Sequence, residues 1–178
     1  MGDLVIAAIA RGGEGVAFID GDRQTSYRVL GEQVSGMVQA LSAHGLKKGD
    51  VIATLSPNRP EAFLMTAAAY LMGLQLVWMN PMSSEADHQY QIDDAGVRTL
   101  FVDPGSFGSR ALSICQQCER PLKLFSLGPW AGQLDILAQA ASYPTLALES
   151  SASENDPCVL IYTGGTTGKP KGVMGTVG

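Results

Sequence analysis

The sequence predicts an α/β fold, in which alternating βα units form a largely parallel sheet with helices on both faces. Three observations predict it. Short apolar runs alternate along the whole chain with longer segments whose apolar residues recur at spacings of three and four. Helix caps and glycine stops punctuate those longer segments. Hydrophobic residues make up 46% of the 178 and charged residues 16%, so the chain has the material for one well-buried domain and little tendency to disorder.

The elements follow in order. An apolar run from Leu4 to Ala10 behind Asp3 predicts a short amphipathic helix; it lacks the basic start of a signal peptide, and Ile6 stands where a myristoylation motif requires Ser or Thr. Residues 16–19 and 24–26 flank Asp20-Gly21 and predict a hairpin. Ser26 can cap a helix carrying Val29, Leu30, Val34, Met37, Val38 and Leu41 on one side, closed by Gly45. A strand over 51–56 comes next. Residues 62–79 are strongly apolar but are interrupted by Thr66, Gly73 and Gln75, and fall short of the ~20 apolar residues of a spanning helix. They read as a buried helix over 61–72, a stop at Gly73 and a strand from Leu74, so no transmembrane segment is expected. Ser84, with Glu85 and Asp87 behind it, opens a helix that Gly96 ends. A strand at 99–102, a helix around 106–118, a strand at 122–127, a helix near 134–141 and a strand at Val159 complete the series. Residues 148–157, rich in Ser, Glu and Asp, are expected to be a solvated loop.

Composition excludes several functions. A net charge of −5 with the twelve Lys and Arg scattered gives no basic stripe for nucleic acid. Three cysteines cannot pair completely and no secretory segment precedes them, so a reduced, cytoplasmic protein is expected. Cys115 and Cys118 form a C-x-x-C without a second pair or a histidine set, and read as two thiols on a helix. His44 and His88 have no metal or nucleophile partner in the pattern, and no metal ligand is assigned.

The most informative stretch is Tyr162-Thr163-Gly164-Gly165-Thr166-Thr167-Gly168-Lys169-Pro170-Lys171-Gly172-Val173, behind the apolar run 158–161. The glycines at 164, 165, 168 and 172 permit positive φ and close backbone approach to a ligand. Converging N–H groups, the hydroxyls of Thr163, Thr166 and Thr167 and the ammonium groups of Lys169 and Lys171 suit a polyphosphate. A Walker loop fails on two counts: its first glycine position holds Thr163, and Pro170 follows the lysine where a hydroxyl belongs. Pro170 also disfavours helix at Lys169, so a strand, a phosphate loop and a returning strand over 172–177 are expected.

These residues resemble the phosphate loop of the adenylate-forming superfamily, aromatic-Thr-Ser-Gly-Ser/Thr-Thr-Gly-x-Pro-Lys-Gly-Val, with Gly164 standing where serine is usual. Upstream, Ser26-Tyr27 with Leu30, the segment Gly45-Leu46-Lys47-Lys48-Gly49-Asp50-Val51, Pro57-Asn58, Asn80-Pro81 and Asp94-Ala95-Gly96-Val97 are similar to family segments in the same order. Bacterial fatty-acyl-CoA synthetases are the members most similar in this stretch.

The resemblance implies that residues 1–178 are the amino-terminal part of the AMP-binding domain, the remainder lying downstream. It implies an ATP-dependent ligase that joins a carboxylic acid, a fatty acid by preference, to coenzyme A through an acyl-adenylate, with magnesium as cofactor. Thr163, Gly164, Gly165, Thr166, Thr167 and Gly168 would hold the ATP phosphates, and Lys171 would be the catalytic cation. The chain alone is expected to be inactive and prone to self-association as a homo-oligomer. Two alternatives stand beside this reading: another adenylating enzyme, such as an aryl-CoA ligase or a peptide-synthetase domain, and a noncatalytic folded module.

Overall fold

In the computed structural model, which describes residues 1–163 and 170–176, a seven-stranded sheet is flanked by helices on both faces. Helix α1 (Gly2–Gly12) precedes a two-stranded antiparallel hairpin of β1 (Val16–Asp20) and β2 (Arg23–Ser26). Its turn uses Gly21 at φ 59°, a left-handed conformation that suits glycine. Ser26 then caps α2 (Tyr27–Ala43), its Oγ accepting from Val29 N at 3.2 Å.

The large sheet begins with β3 (Val51–Leu55) and continues through α3 (Pro60–Met72), β4 (Gln75–Trp78), α4 (Glu85–Asp94), β5 (Thr99–Val102), α5 (Pro104–Gln117) and β6 (Lys123–Ser126). It ends with β7 (Leu134–Asp135), α6 (Ile136–Ala140), β8 (Pro157–Thr163) and β9 (Lys171–Thr176). The spatial order is β7-β6-β5-β3-β4-β8-β9, parallel throughout except for the antiparallel β9. The expected α/β class and parallel sheet are therefore present.

Local chemistry explains the boundaries. Ser84 and Asp87 form a reciprocal capping box at the start of α4. Gly73 ends α3 at φ 66°, and Gly96 lies just beyond α4 at φ 66°. Asp103 caps α5 two residues earlier than the sequence reading placed that helix, followed by Pro104 in the first turn. The helix expected over 134–141 is shorter, because Asp135 closes the small strand β7 and its Oδ1 accepts from Leu137 N and Ala138 N. Residues 148–157 are mostly exposed, as expected, yet held: Ser151 N donates to Leu71 O at 2.7 Å, and Lys48 Nζ reaches Ser153 Oγ at 2.8 Å and Asp156 Oδ2 at 2.7 Å. That clamp fixes the entry into β8.

One core layer lies between the sheet and α2, α3 and α6, with Met37, Leu41, Met65, Leu71 and Phe101 fully buried. The other lies under α4 and α5 around Leu55, Ile92, Leu100 and Ile114. The apolar stretch over 62–79 is divided into α3 and β4, and among the described residues no helix is long and apolar enough to cross a membrane.

Candidate nucleotide-binding site

Strand β8 is built from the apolar run Cys158–Ile161, and it pairs in parallel with β4 through Leu76↔Val159, Val77↔Leu160 and Trp78↔Ile161. It leaves the sheet at its carboxyl end, beyond which ligands bind in open α/β sheets. The chain returns directly as β9, whose first pair with β8 is Thr163↔Lys171. The return of residues 171–176 as a strand is the outcome expected from Pro170, and it stands where a Walker loop would open a helix. The predicted residues Thr163 and Lys171 are thus neighbours across the hairpin. Thr163 Oγ1 donates to Lys171 O at 3.4 Å, and both residues are exposed. The other predicted ligands, Gly164, Gly165, Thr166, Thr167 and Gly168, lie outside the described residues, as does Lys169.

Gly172 corrects one expectation. Its φ is not positive, and its glycine identity has a steric reason: a Cβ there would stand 3.0 Å from Leu160 Cδ1 and 3.3 Å from Tyr162 Cζ. The small residue makes room for the ring of Tyr162, its partner across the strands.

Three further contacts shape the carboxyl edge, and the sequence reading assigned none of them. Tyr162 Oη donates to Asp94 Oδ2 at 2.6 Å, while Tyr90 Oη donates to Asp94 Oδ1 at 3.2 Å. Burial first, and then the Asp94 carboxylate, push the Tyr162 phenol well above its ordinary range, so it stays a donor at neutral pH. Arg59, at the start of α3, pairs with the buried Asp103 beyond β5. His88 is fully buried with Nε2 2.8 Å from Asn80 O. Burial lowers its pKa, and Arg110 adds to that, its Nη1 3.4 Å from His88 Nδ1. A neutral ring with the proton on Nε2 fits both neighbours, since Arg110 can only donate.

Two loops diverge at this edge. The loop after β3 turns toward the α3 layer, and the loop after the adjacent β4 turns toward α4 on the other face. Such a divergence is a topological switch point. The segments Pro57-Asn58 and Asn80-Pro81 lie on these two loops. A separate groove of about 420 Å³ between β2, α2, α3 and α6 is lined by no residue of β8 or β9. Among the described residues no group of three or more His, Cys, Asp and Glu gathers to hold a metal ion, and Cys115, Cys118 and Cys158 are free thiols.

The model of the AMP-binding enzyme family matches residues 6–178. The chain belongs to that family. Within it, the chain is 35% identical over 182 residues to the medium/long-chain-fatty-acid–CoA ligase FadD8 of Mycobacterium tuberculosis, an alignment that covers 98% of this chain and 32% of the relative. Among solved structures it resembles the anthranilate CoA ligase AuaEII in complex with anthranoyl-AMP, with a TM-score of 0.89 at 22% identity over 99% of this chain and 34% of that one. It also resembles o-succinylbenzoate CoA synthetase from Bacillus subtilis in complex with its acyl-adenylate intermediate, with a TM-score of 0.76 at 26% identity over 97% of this chain and 42% of that one. The chain spans about a third of the length of this curated relative. Its relatives include fatty-acid and aryl-acid CoA ligases, so membership fixes adenylate-forming ligase chemistry as the family's activity and leaves the acid open.

Proposed function

We propose that this chain is the amino-terminal part of an ATP-dependent acyl-CoA synthetase that acts on fatty acids in the cytoplasm. The observation that carries the reading is the hairpin end Thr163↔Lys171, which brackets a Gly- and Thr-rich loop at the carboxyl end of a parallel strand. A carboxylate oxygen of the acid attacks the α-phosphorus of ATP, the bond to the bridging oxygen breaks, and pyrophosphate leaves. The coenzyme A thiol then gives up its proton to solvent, its sulfur attacks the acyl carbon of the resulting acyl-AMP, and the acyl–oxygen bond breaks as AMP departs. In this scheme Thr163, Gly164, Gly165, Thr166, Thr167 and Gly168 hold the β- and γ-phosphates. Lys171 offsets the charge that grows on pyrophosphate.

Magnesium, when bound, would neutralise phosphate charge. Among the described residues no carboxylate set gathers for it, and the cation that the hairpin places at the loop is Lys171. The preference for a fatty acid is supported by the 35% identity to the fatty-acid–CoA ligase over nearly the whole chain.

Carboxylate-dependent exchange of pyrophosphate into ATP tests this reading, run on the protein extended to the length of its relatives with fatty and aromatic acids side by side. Exchange with medium- or long-chain acids is the expected result. Exchange only with aromatic acids would transfer the reading to an aryl-CoA ligase, and none with any acid would overturn it. The 178-residue chain alone is expected to show no exchange.

A further inference from the structure

Asp94 is the last residue of α4, and nothing local favours an acid there. The carboxyl end of a helix carries partial negative charge, Asp93 precedes it, and no basic residue stands in that last turn. A position that breaks a local rule is where a compensating task is to be sought. The task visible here is acceptance of two phenols, Tyr90 from one turn earlier and Tyr162 from β8. The two rings meet edge to face, with centroids 6.2 Å apart and planes at 82°.

The register shows why β8 needs this support. Its parallel ladder to β4 ends at Trp78↔Ile161, so Tyr162 and Thr163 overhang the sheet. Within the ladder they are held only by β9, through Tyr162↔Gly172 and Thr163↔Lys171. The bond from Tyr162 Oη to Asp94 restrains the overhang from α4, outside the plane of the hairpin. Thr163 is the next residue, and the loop departs from it.

We propose that Asp94 and Tyr162 are positioning residues, which hold the end of β8 at Thr163 opposite Lys171 and so set the affinity of this chain for polyphosphate. This assignment rests on the phosphate-loop reading of residues 163–171. Electrostatics alone predicts the opposite effect for Asp94. A bystander carboxylate near an anion site repels phosphate, and its removal would tighten binding.

Calorimetric titration of the chain with inorganic tripolyphosphate, a probe that needs no adenine pocket, separates these cases. Asp94→Ala and Tyr162→Phe should each weaken binding about tenfold, the worth of one charge-assisted hydrogen bond. The double variant should lose the same factor rather than its square, because both changes break one contact. Asp94→Asn keeps an acceptor oxygen without the charge and should recover part of the loss. Melting temperatures within a few degrees of wild type would show that the loss is not one of folding. Unchanged or tighter binding in Asp94→Ala and Tyr162→Phe, with binding lost in Lys171→Ala, overturns the positioning role alone. Additive losses also overturn it, as does a loss that tracks unfolding in every variant including Asp94→Asn. Absence of saturable binding by the wild-type chain overturns the phosphate-loop reading and this assignment together.

Discussion

Arg59 Nη1 meets Asp103 Oδ1 at 2.5 Å and thereby ties the start of α3 to the cap of α5 across the carboxyl edge of the sheet. The two partners differ in environment: the Asp103 side chain is 4% exposed and that of Arg59 44%. Asp103 has a second task, since its Oδ2 accepts from Ser106 N at 2.9 Å at the positive end of α5. Arg59 also touches Glu61, which Arg23 joins to the hairpin at 2.8 Å. The chain of charges thus runs from β2 to the cap of α5.

Asp103→Ala removes both a helix cap and an ion pair, and should destabilise the chain by about 2–4 kcal/mol. Arg59→Ala leaves a buried carboxylate that still has its helix amide, and should cost less, about 1–3 kcal/mol. The double variant should fall short of the sum. Urea unfolding of the three variants measures this, and losses below half a kcal/mol in both singles would show that the pair contributes nothing.

His88 should make stability depend on pH. Burial holds its folded pKa below the ordinary 6.5; the Arg110 guanidinium lowers it further, while Asn80 O, Asp87 and Glu85 act in the opposite direction. The unfolded chain then binds a proton that the folded chain refuses. The contribution is complete above pH 6.5 and is lost as pH falls through the folded value. Asp87 and Asp156, whose pKa values are lowered from 3.8 by Ser84 and Lys48 respectively, lose theirs only in a separate window below that value. The urea midpoint should therefore decline from pH 6.5 toward 5 in the wild type and stay flatter in His88→Leu. An equal slope in the two proteins would remove His88 as the cause.

Gly36 and Gly31 both lie in α2, where glycine is a poor helix former, and their surroundings predict opposite outcomes. A Cβ at Gly36 would stand 2.2 Å from the Ala140 carbonyl oxygen, so Gly36→Ala must push α6 off α2 and should cost more than about 2 kcal/mol. At Gly31 the neighbour is the Ile9 Cγ2 methyl at 2.8 Å, a side-chain atom of the terminal helix α1 rather than a backbone carbonyl, so the crowding is relieved by a small shift of α1. There the gain in helix propensity offsets much of the crowding, and Gly31→Ala should stay within about 1 kcal/mol of wild type. Thermal unfolding compares them, and a harmless Gly36→Ala would mean that α6 is only loosely seated.

The order of elements was legible because each is marked locally. Caps at Ser26 and Ser84, stops at Gly45, Gly73 and Gly96, and apolar runs of strand length are all adjacent in sequence to what they define. The start of α5 was also marked, by Asp103-Pro104, although the reading began that helix at Ser106. The loop's chemistry was legible as a motif, and its two ends do meet at Thr163 and Lys171. The contacts around it were not legible. Asp94 and Tyr162 are 68 residues apart, and Arg59 and Asp103 are 44 apart, so no local pattern names the partner. The sequence signals for Asp94 were its place in the family-like segment Asp94-Ala95-Gly96-Val97 and its position against the helix dipole, and neither names Tyr162 as the partner. Gly172 was attributed to backbone freedom, when Leu160 and the ring of Tyr162 on the facing strand are what crowd a larger residue.

Strand β9 should promote self-association. Among the described residues it pairs only with β8, and it exposes Val173 at 57% and Met174 at 59%, with Ile161 of β8 at 51% directly opposite Val173. An open apolar edge is a template for pairing with another chain. Light scattering should show a mass that rises with concentration, and Val173→Lys should suppress it. A constant monomer mass over a wide concentration range would dismiss the edge as an association site.

The two lysines of the loop should separate in kinetics although charge counting rates them equally. Lys171 opens β9 opposite Thr163, a position fixed by the hairpin register, and no described carboxylate pairs with it. Lys169 precedes Pro170 at the place where the family pattern is variable. If Lys171 meets more charge in the transition state than in bound ATP, Lys171→Ala should lower kcat as well as kcat/KM. By analogy with the loss of an oxyanion donor, the cost is on the order of 2–4 kcal/mol. Lys169→Ala should change either parameter by less than about threefold, as expected at a position where the family pattern is variable. Steady-state adenylation kinetics of both variants in the protein at the length of its relatives, with folding checked by circular dichroism, decide between them. Equal losses would refute the transfer of the family's lysine role to Lys171, and a loss confined to KM would reassign Lys171 from transition-state stabilisation to uniform binding of ATP.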